Sequence, residues 1–542
     1  MTQRKAAAPK KATSPKAQSL PTETDVLIVG YGPVGAALIA LLGRYGINTV
    51  AVDKEKDILQ MPRAIALDNE ALRALQMVGL GEDAFERIAI PEVKMHCPYL
   101  GQFGKVNTKG SIDGHPKLVT FYQPDLEKAL RLEASKQSCT SFCPGLELLE
   151  FEEDGKSVLA TLQSQSGDLH RIRARYIIGA DGASSRVRAL IGQGFEGETY
   201  AEDWLIVDAR ERQNKAIDHV EFICNPKRPT PHMPAPGGRE RWEFMLQPGE
   251  TLEEMESPEK LAELLAPWIH PKDLVTERKA IYRFHARCCE QFQKGRAFLV
   301  GHAAHITPPF VGQGLVAGLR DAANLGWKLA WVLRGHASPR LLESYDQERR
   351  PHAKKMIELA KLMGHLVMPR GRATAVAVHG AMRVAGLVSP VRQQLEELKI
   401  KPPNRFDKGV FASEQKQHEK LKLGGPIAQD VVRQGERICL SDEVLGDQFT
   451  LVGFGVDPCI QLNDRAIERW QSISGQFLQI GMRGQKTATD TTFAEDLSDN
   501  LVPGLPLGWV AVVRPDRVLM HAGPAEQGTK IVNECLSLLT RL

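Results

Sequence analysis

The sequence predicts an α/β fold, α+β over the whole chain, opening on a Rossmann-like dinucleotide-binding domain. Three stretches carry that prediction. TDVLIVGYGPVGAALIALLGRYGINTVAVDKE at 24–55 reads as a buried strand, a glycine turn, an apolar helix and a second strand ending in an acid. Between Arg188 and Arg296 the pattern changes to short alternating strands: WLIVDAR, HVEFICN and RWEFMLQPGE. The amphipathic PEKLAELLAPWI interrupts them, which predicts a sheet carrying a helix. Beyond a linker at 402–426 that contains Pro and Gly, DQFTLVGFG and GWVAVVRPDRVLM read as strands of a further domain.

The opening stretch is G-x-G-x-x-G in the context that gives it meaning. The run Val26 to Val29 suits a buried parallel strand. Gly30 permits the tight turn, Gly32 lets the backbone approach a pyrophosphate, and Gly35 lets helix and strand pack closely. Pro33 and Val34 open the helix, whose free N–H groups and dipole favour an anion. Asp53, with Lys54 behind it, stands about twenty residues on, where an acid accepts ribose hydroxyls. This motif predicts one bound dinucleotide and leaves NAD and FAD both open.

Composition narrows the class. Hydrophobic residues make up 42% and charged residues 25%, which allows sizeable buried cores. A net charge of +3 gives no argument for a nucleic-acid partner. The segment MTQRKAAAPKKATSPKAQSLPT has five basic residues, no acid and no apolar core, so residues 1–22 read as a disordered basic tail. No run approaches the ~18 apolar residues of a membrane span. The nine cysteines are scattered and lack a C-x-x-C pair, which points to reduced thiols and a cytoplasmic location.

FLVGHAAHITPPFVGQGL at 298–315 raises the question of a metal. His302 and His305 are three apart, and no acid stands between Arg296 and Asp321, so the expectation is no metal. Ala303, Ala304, Gly312 and Gly314 instead keep side-chain bulk off the backbone of this segment. Pro308 and Pro309 make a rigid wall, and the Gly-Gln-Gly turn opens a helix from Leu315 to Leu333. His305 reads as a core histidine. Residues 174–188, ARYIIGADGASSRVR, add a buried strand running into Asp181 and Gly182.

Together these stretches resemble the aromatic-ring hydroxylases, the single-component FAD monooxygenases. The likeness extends to PRAIALD (62–68), FYQPDLEKAL (121–130) and RDAANLGWKLA (320–330), in family order. It implies a split FAD-binding domain at 23–188 and 297–401, a substrate-binding β-sheet domain at 189–296, and a thioredoxin-like domain at 427–542. It also implies FAD contacts at Gly30, Gly32, Pro33, Val34, Gly35, Asp53, Lys54, Arg63, Gln123, Asp181, Gly182, Gly301, His302, Pro308, Gly312, Gly314 and Leu315. Arg63 suits the pyrophosphate, because a guanidinium matches phosphate oxygens. Two positions depart from the pattern: His302 replaces the usual Asp and Val316 the usual Asn. Weaker FAD retention is therefore expected, with a pH dependence set by an imidazole whose ordinary pKa is about 6.5.

Residues 219–250 are most similar to the hydroxylases of 3-(3-hydroxyphenyl)propionate and 3-hydroxycinnamate. That likeness implies a small phenolic acid as substrate, NADH or NADPH as a transient reductant, and O2 as co-substrate. Hydroxylation would fall ortho to the hydroxyl through a flavin C4a-hydroperoxide, in aromatic-compound catabolism. Asp68 and Tyr282 are the candidates for deprotonating or polarising the phenol; Asp68 also reads as a helix cap and Tyr282 as a core aromatic. A hydroxylase of another phenol, or a flavin-binding protein without oxygenase activity, stays open, as does a homodimer.

Overall fold

The computed structural model describes residues 20–541 apart from 62, 212–216, 271, 398–400, 413–417, 486–490 and 503. Most of the tail expected at 1–22 thus lies outside the described residues. The apolar strand Glu23–Val29 sits between Thr49–Asp53 and Leu169–Gly179, parallel to both. Thr140–Pro144 and Ala297–Leu299 extend the parallel part, and Val158–Ser164 and Leu146–Glu153 finish the sheet as antiparallel strands. Helix Pro33–Arg44, buried from Gly35 to Gly43, packs against helices Gln123–Ser135 and Gln313–Leu333. The parallel ends of this sheet therefore converge on the turn after Val29.

A second sheet has eight strands. In order they are His305–Ile306, Leu274–Cys289, Phe195–Glu211, Arg239–Met245, Thr230–Ala235, Val220–Ile223, Glu92–Cys97 and Gly101–Asn107. The last two come from 92–107, which the sequence reading leaves in the first FAD-binding segment. Val220–Ile223 pairs in parallel with Glu92–Cys97, a long-range match that no local pattern announces. Side chains alternate across the pleat. Leu205, Val207, Trp242 and Phe244 pack beneath helix Pro258–Leu265, while Trp204, Ile206 and Phe284 face the first domain. Both faces are covered at the centre of the sheet, so Asp208, Arg241 and Glu243 there are buried.

At the carboxyl end, Thr450–Phe454 and Gln476–Gly481 pair in parallel across helix Asp464–Ser472. Trp509–Val513 and Leu519–Pro524 follow as an antiparallel hairpin, then helix Gly528–Arg541. This βαβ unit followed by ββα is the thioredoxin-like order. Its attachment is firm: buried Glu348 accepts hydrogen bonds from Arg514 (2.7 and 2.9 Å) and Lys328 (2.7 Å), and Phe449 packs on Trp327 and Trp331. No helix among the described residues is long and apolar enough to cross a membrane.

Candidate functional site

One continuous cavity of about 1640 Å³ runs from the glycine turn to the inner face of the second sheet. Its floor at one end is the G-x-G-x-x-G turn. Gly30 has φ +101°, and a Cβ there would lie 2.5 Å from the Ala180 carbonyl oxygen. A Cβ on Gly35 would lie 2.1 Å from the Gly30 oxygen, so this glycine serves helix–strand packing. Gly32 is different, for a Cβ there meets nothing within 4 Å and would project into open space. Pro33 follows as the first helical residue, with the helix amino terminus turned to the cavity. Asp53 accepts from the Tyr31 N–H (2.7 Å) and the Glu55 N–H (2.9 Å), which fixes the end of the second strand beside the turn.

The middle of the cavity is bounded by three loops. Gln123 Oε1 accepts from the backbone N–H groups of Arg63 and Ala64 (2.8 and 2.9 Å), holding the loop that presents the Arg63 guanidinium. Asp181 accepts from Ser185 Oγ and the Arg186 N–H (both 2.6 Å), capping the short helix Arg186–Leu190, with Gly182 at φ +78° beside it. The third loop is the His302–Leu315 segment. Gly312 takes φ +63° and ends the turn Pro309–Val311, and helix Gln313–Leu333 starts there, two residues earlier than the sequence suggests. Gly30, Gly32, Pro33, Val34, Asp53, Lys54, Arg63, Gln123, Asp181, Gly182, His302, Pro308, Gly312, Gly314 and Leu315 all line the cavity. Gly35 and Gly301 stand behind it; a Cβ on Gly301 would lie 3.1 Å from the Val34 side chain. Val316 is fully buried in the helix and is not on the wall.

His305 is a hydrogen-bonded core histidine. Its Nε2 lies 2.7 Å from Asp321 Oδ2, which also accepts from the Gly301 N–H, while Arg349 donates to Oδ1 (2.8 Å). His302 corrects an expectation. Burial, with His305 and Arg63 nearby, pushes its pKa down to about 4, so the imidazole is neutral across the ordinary working range and does not switch near 6.5. Its Nε2 is buried with no hydrogen-bond partner, close to where a Cβ on Gly314 would sit (2.9 Å). Such an orphaned polar atom on a cavity wall fits a bound partner with a hydroxyl. The open space at Gly32 and the two helix amino termini fit a pyrophosphate-bearing dinucleotide.

The two candidate catalytic residues are placed differently. Asp68 caps helix Asn69–Val78 through the Ala71 N–H (2.9 Å), and its other oxygen accepts from Gln313 (3.0 Å) and Lys401 (2.7 Å). Burial pushes its carboxyl up, but Lys401 and Arg320 outweigh burial and hold it far below the usual carboxylate range. A carboxylate so firmly ionised is a poor proton acceptor. Tyr282 lies on the inner face of Leu274–Cys289, and its hydroxyl accepts from Arg278 (2.6 Å). Arg63 and Arg278 stand 5.9 and 5.5 Å from its ring centre.

Sequence reasoning missed a charged group behind Tyr282. Asp208 accepts from Arg241 on both oxygens (2.6 and 3.0 Å) and from Arg278 (2.9 Å). Arg241 also donates to the Arg63 carbonyl (3.0 Å), tying the sheet to the loop under the cavity. Glu243 lies on the same face and opens on the cavity. Apolar side chains line much of the rest of that chamber, among them Met95, Ile206, Phe222, Met233, Phe284 and Phe310, with Arg283, His285 and Thr307 also on the cavity wall. The signal was the parity of charges in RERWEFM, where Arg241 and Glu243 alternate with Trp242 and Phe244.

Residues 23–360 match the family described as "FAD binding domain", and 424–538 match "HcaD C-terminal domain". The chain is 31% identical to a 3-(3-hydroxy-phenyl)propionate/3-hydroxycinnamic acid hydroxylase of Comamonas testosteroni, covering 94% of this chain and 96% of that one. A hydroxylase of the same name from Burkholderia vietnamiensis is 33% identical, over 91% and 92%. Among solved structures, the flavin-dependent monooxygenase PieE in complex with FAD and substrate superimposes with TM-score 0.80 at 20% identity, over 95% of this chain and 99% of that one. A ternary complex of aklavinone-11 hydroxylase with FAD and aklavinone gives 0.74 at 21%, over 96% and 100%.

Proposed function

We propose, for a chain that belongs to the FAD-dependent aromatic monooxygenases, that it hydroxylates a phenol carrying a short carboxylated side chain, at the ring carbon beside the existing hydroxyl. The carrying observation is the continuity of the cavity from the Gly30–Gly35 turn, past His302–Leu315, to an apolar chamber under the second sheet. The names of the relatives supply the acid side chain. FAD is the cofactor, with NADH or NADPH as reductant and O2 as co-substrate. When bound, FAD supplies the redox step and the activation of oxygen.

The chain supplies position and polarity. Gly32 leaves room for the pyrophosphate, and Arg63 offers it a guanidinium. His302 Nε2, neutral and unpaired, would exchange a hydrogen bond with a hydroxyl of the ribityl chain. The apolar wall from Ile206 to Phe310 excludes water from the reacting ring. Tyr282, whose oxygen already accepts from Arg278, turns its own proton toward a substrate oxygen. Nine free cysteines fit a cytoplasmic location; the homodimer is a matter for sedimentation.

The test is a panel of phenolic acids, neutral phenols and hydroxybiphenyls scored by substrate-stimulated NAD(P)H oxidation, oxygen uptake and product mass. The expected result is coupled ortho-hydroxylation of the acids. Coupling with neutral phenols alone would overturn the substrate class and leave the monooxygenase standing.

A further inference from the structure

We propose that Glu243 is the catalytic residue that takes the proton from the substrate's hydroxyl group. This rests on the reading of the cavity as a phenol hydroxylase site. Among the described residues of the second sheet, Glu243 is the one carboxyl that lines the cavity. It is 8% exposed, its carboxyl accepts no hydrogen bond from a described residue, and the surface its oxygens keep opens on the cavity. A buried acid left without a donor is unusual unless something else approaches it. Here the open side is the chamber that would hold the ring.

The surroundings favour that exchange. Arg241 on its own strand, Arg278 on Leu274–Cys289 and Asp208 on Phe195–Glu211 act on it electrostatically, with Tyr282 beside them. The Arg210–Glu277–Arg239 cluster stands farther along the same strands, and Arg283 and His285 also line the cavity. The strand on its other side contributes Pro231 and Met233, and Arg63 approaches from the loop below. Burial pushes the Glu243 carboxyl up to about 7, with Arg241 opposing and Asp208 adding to the rise. A phenol has an ordinary pKa of about 10, so an acid held near 7 matches it better than a free glutamate near 4.3. Asp68, the other carboxyl considered, is saturated with donors and firmly ionised.

The step balances without a further reagent. The substrate O–H bond breaks, its electron pair stays on the substrate oxygen, and the proton bonds to a Glu243 oxygen. The guanidiniums of Arg241 and Arg278 stand behind the phenolate so formed. FAD, when bound, would supply the activated oxygen; the residues here would hold the ring in its electron-rich phenolate form, and the proton on Glu243 returns to solvent after product leaves.

The experiment compares wild type, Glu243→Gln and Glu243→Asp as FAD holoenzymes, on whichever phenol of the panel the wild type hydroxylates. Glu243→Gln should lower kcat about a hundredfold or more, with FAD content and KM within threefold, and should erase the acid limb near pH 7. Glu243→Asp should recover part of the rate and keep an acid limb. Difference-infrared titration, which needs no turnover, should show a carboxylic-acid band fading near pH 7 in wild type and missing in Glu243→Gln. Unchanged kcat and pH profile in Glu243→Gln, or no such band, would overturn the proposal. If Glu243→Gln fails to hold FAD, Glu243→Asp decides: wild-type kcat, or no acid limb, overturns it. A wild type that hydroxylates no phenol removes the functional reading and this assignment together; an active wild type with an indifferent Glu243→Gln removes this assignment alone.

Discussion

The flavin cradle and the substrate sheet are opposite walls of one cavity, built by different means. At the cradle the shape comes from backbone: Gly30 at φ +101°, Gly312 at φ +63°, and Gly32 where a Cβ would point into empty space. At the sheet the shape and charge come from side chains on three strands, Asp208, Arg241, Glu243 and Arg278, gathered from positions up to seventy residues apart. A backbone wall tolerates few substitutions but is specified locally. A side-chain wall can be altered one group at a time, and each change leaves a neighbouring charge exposed to low dielectric.

The most damaging way to break this contrast is Gly32→Val. The backbone there is extended and open, so the chain should fold, and the β-branched side chain would occupy the pyrophosphate's place. The purified variant should carry essentially no FAD while its circular dichroism matches wild type. Gly35→Val is the internal control, because its Cβ meets protein rather than ligand and should destabilise by at least ~1–3 kcal/mol. Stoichiometric FAD in Gly32→Val would make the turn a packing device only.

On the other wall, Asp208→Asn should be the larger stability lesion. It keeps the shape but leaves Arg241 and Arg278 buried with their shared partner uncharged. The loss expected for a broken buried ion pair is about 3–5 kcal/mol. Denaturant unfolding followed by tryptophan fluorescence reads it, with Trp204 and Trp242 on the affected strands. A loss under ~1 kcal/mol would mean that water reaches this cluster freely.

Glu243 gives a smaller effect of opposite sign. Its folded-state pKa of about 7 lies above its ordinary 4.5, so its contribution to stability is whole below about 4.5 and is lost as pH rises through 7. At pH 8 the wild type should be destabilised by about 3 kcal/mol relative to a neutral side chain of the same shape, at 1.36 kcal/mol per pKa unit. Glu243→Gln should therefore be the more stable protein at pH 8, with a gap that nearly closes at pH 5. A gap that does not change with pH would show that this carboxyl keeps its ordinary titration.

How much could be read beforehand follows the same division. The glycine turn, the Asp68 cap and the His302–Leu315 segment follow from residues close in sequence, so their patterns were visible, whereas the partner that holds His305, Asp321, stands sixteen residues on. The pairing of 92–107 with Val220–Ile223 was not, because nothing in either segment names the other. The charged cluster was hidden for a related reason. Alternating charge on a strand normally marks a solvated face, and only the helix Pro258–Leu265 on one side and the flavin domain on the other show that both faces are covered. Asp68 carried its cap in the sequence, but its saturation by Lys401 and Gln313 comes from residues far along the chain.

His302 gives the smallest expected effect, and it tests whether the backbone wall is electrostatically silent. From its ordinary pKa an imidazole here would gain a proton near 6.5 and alter the flavin's potential within the working range. Burial dominates instead, and the neighbouring His305 and Arg63 push the same way, so the pKa falls to about 4. The sign is plain: a depressed histidine is neutral from about pH 5 upward, offers Nε2 or its proton as a hydrogen-bonding group, and adds no charge to the site. FAD dissociation constants and midpoint potentials measured between pH 6 and 9 should thus run parallel in wild type and His302→Asn, offset by less than about tenfold for the changed hydrogen bond. His302→Asp is the contrasting variant, since it returns a carboxylate to the wall and should shift the potential at every pH in that range. An inflection near pH 6.5 in the wild type that His302→Asn abolishes would show that solvent or the bound flavin restores the imidazole's ordinary proton affinity.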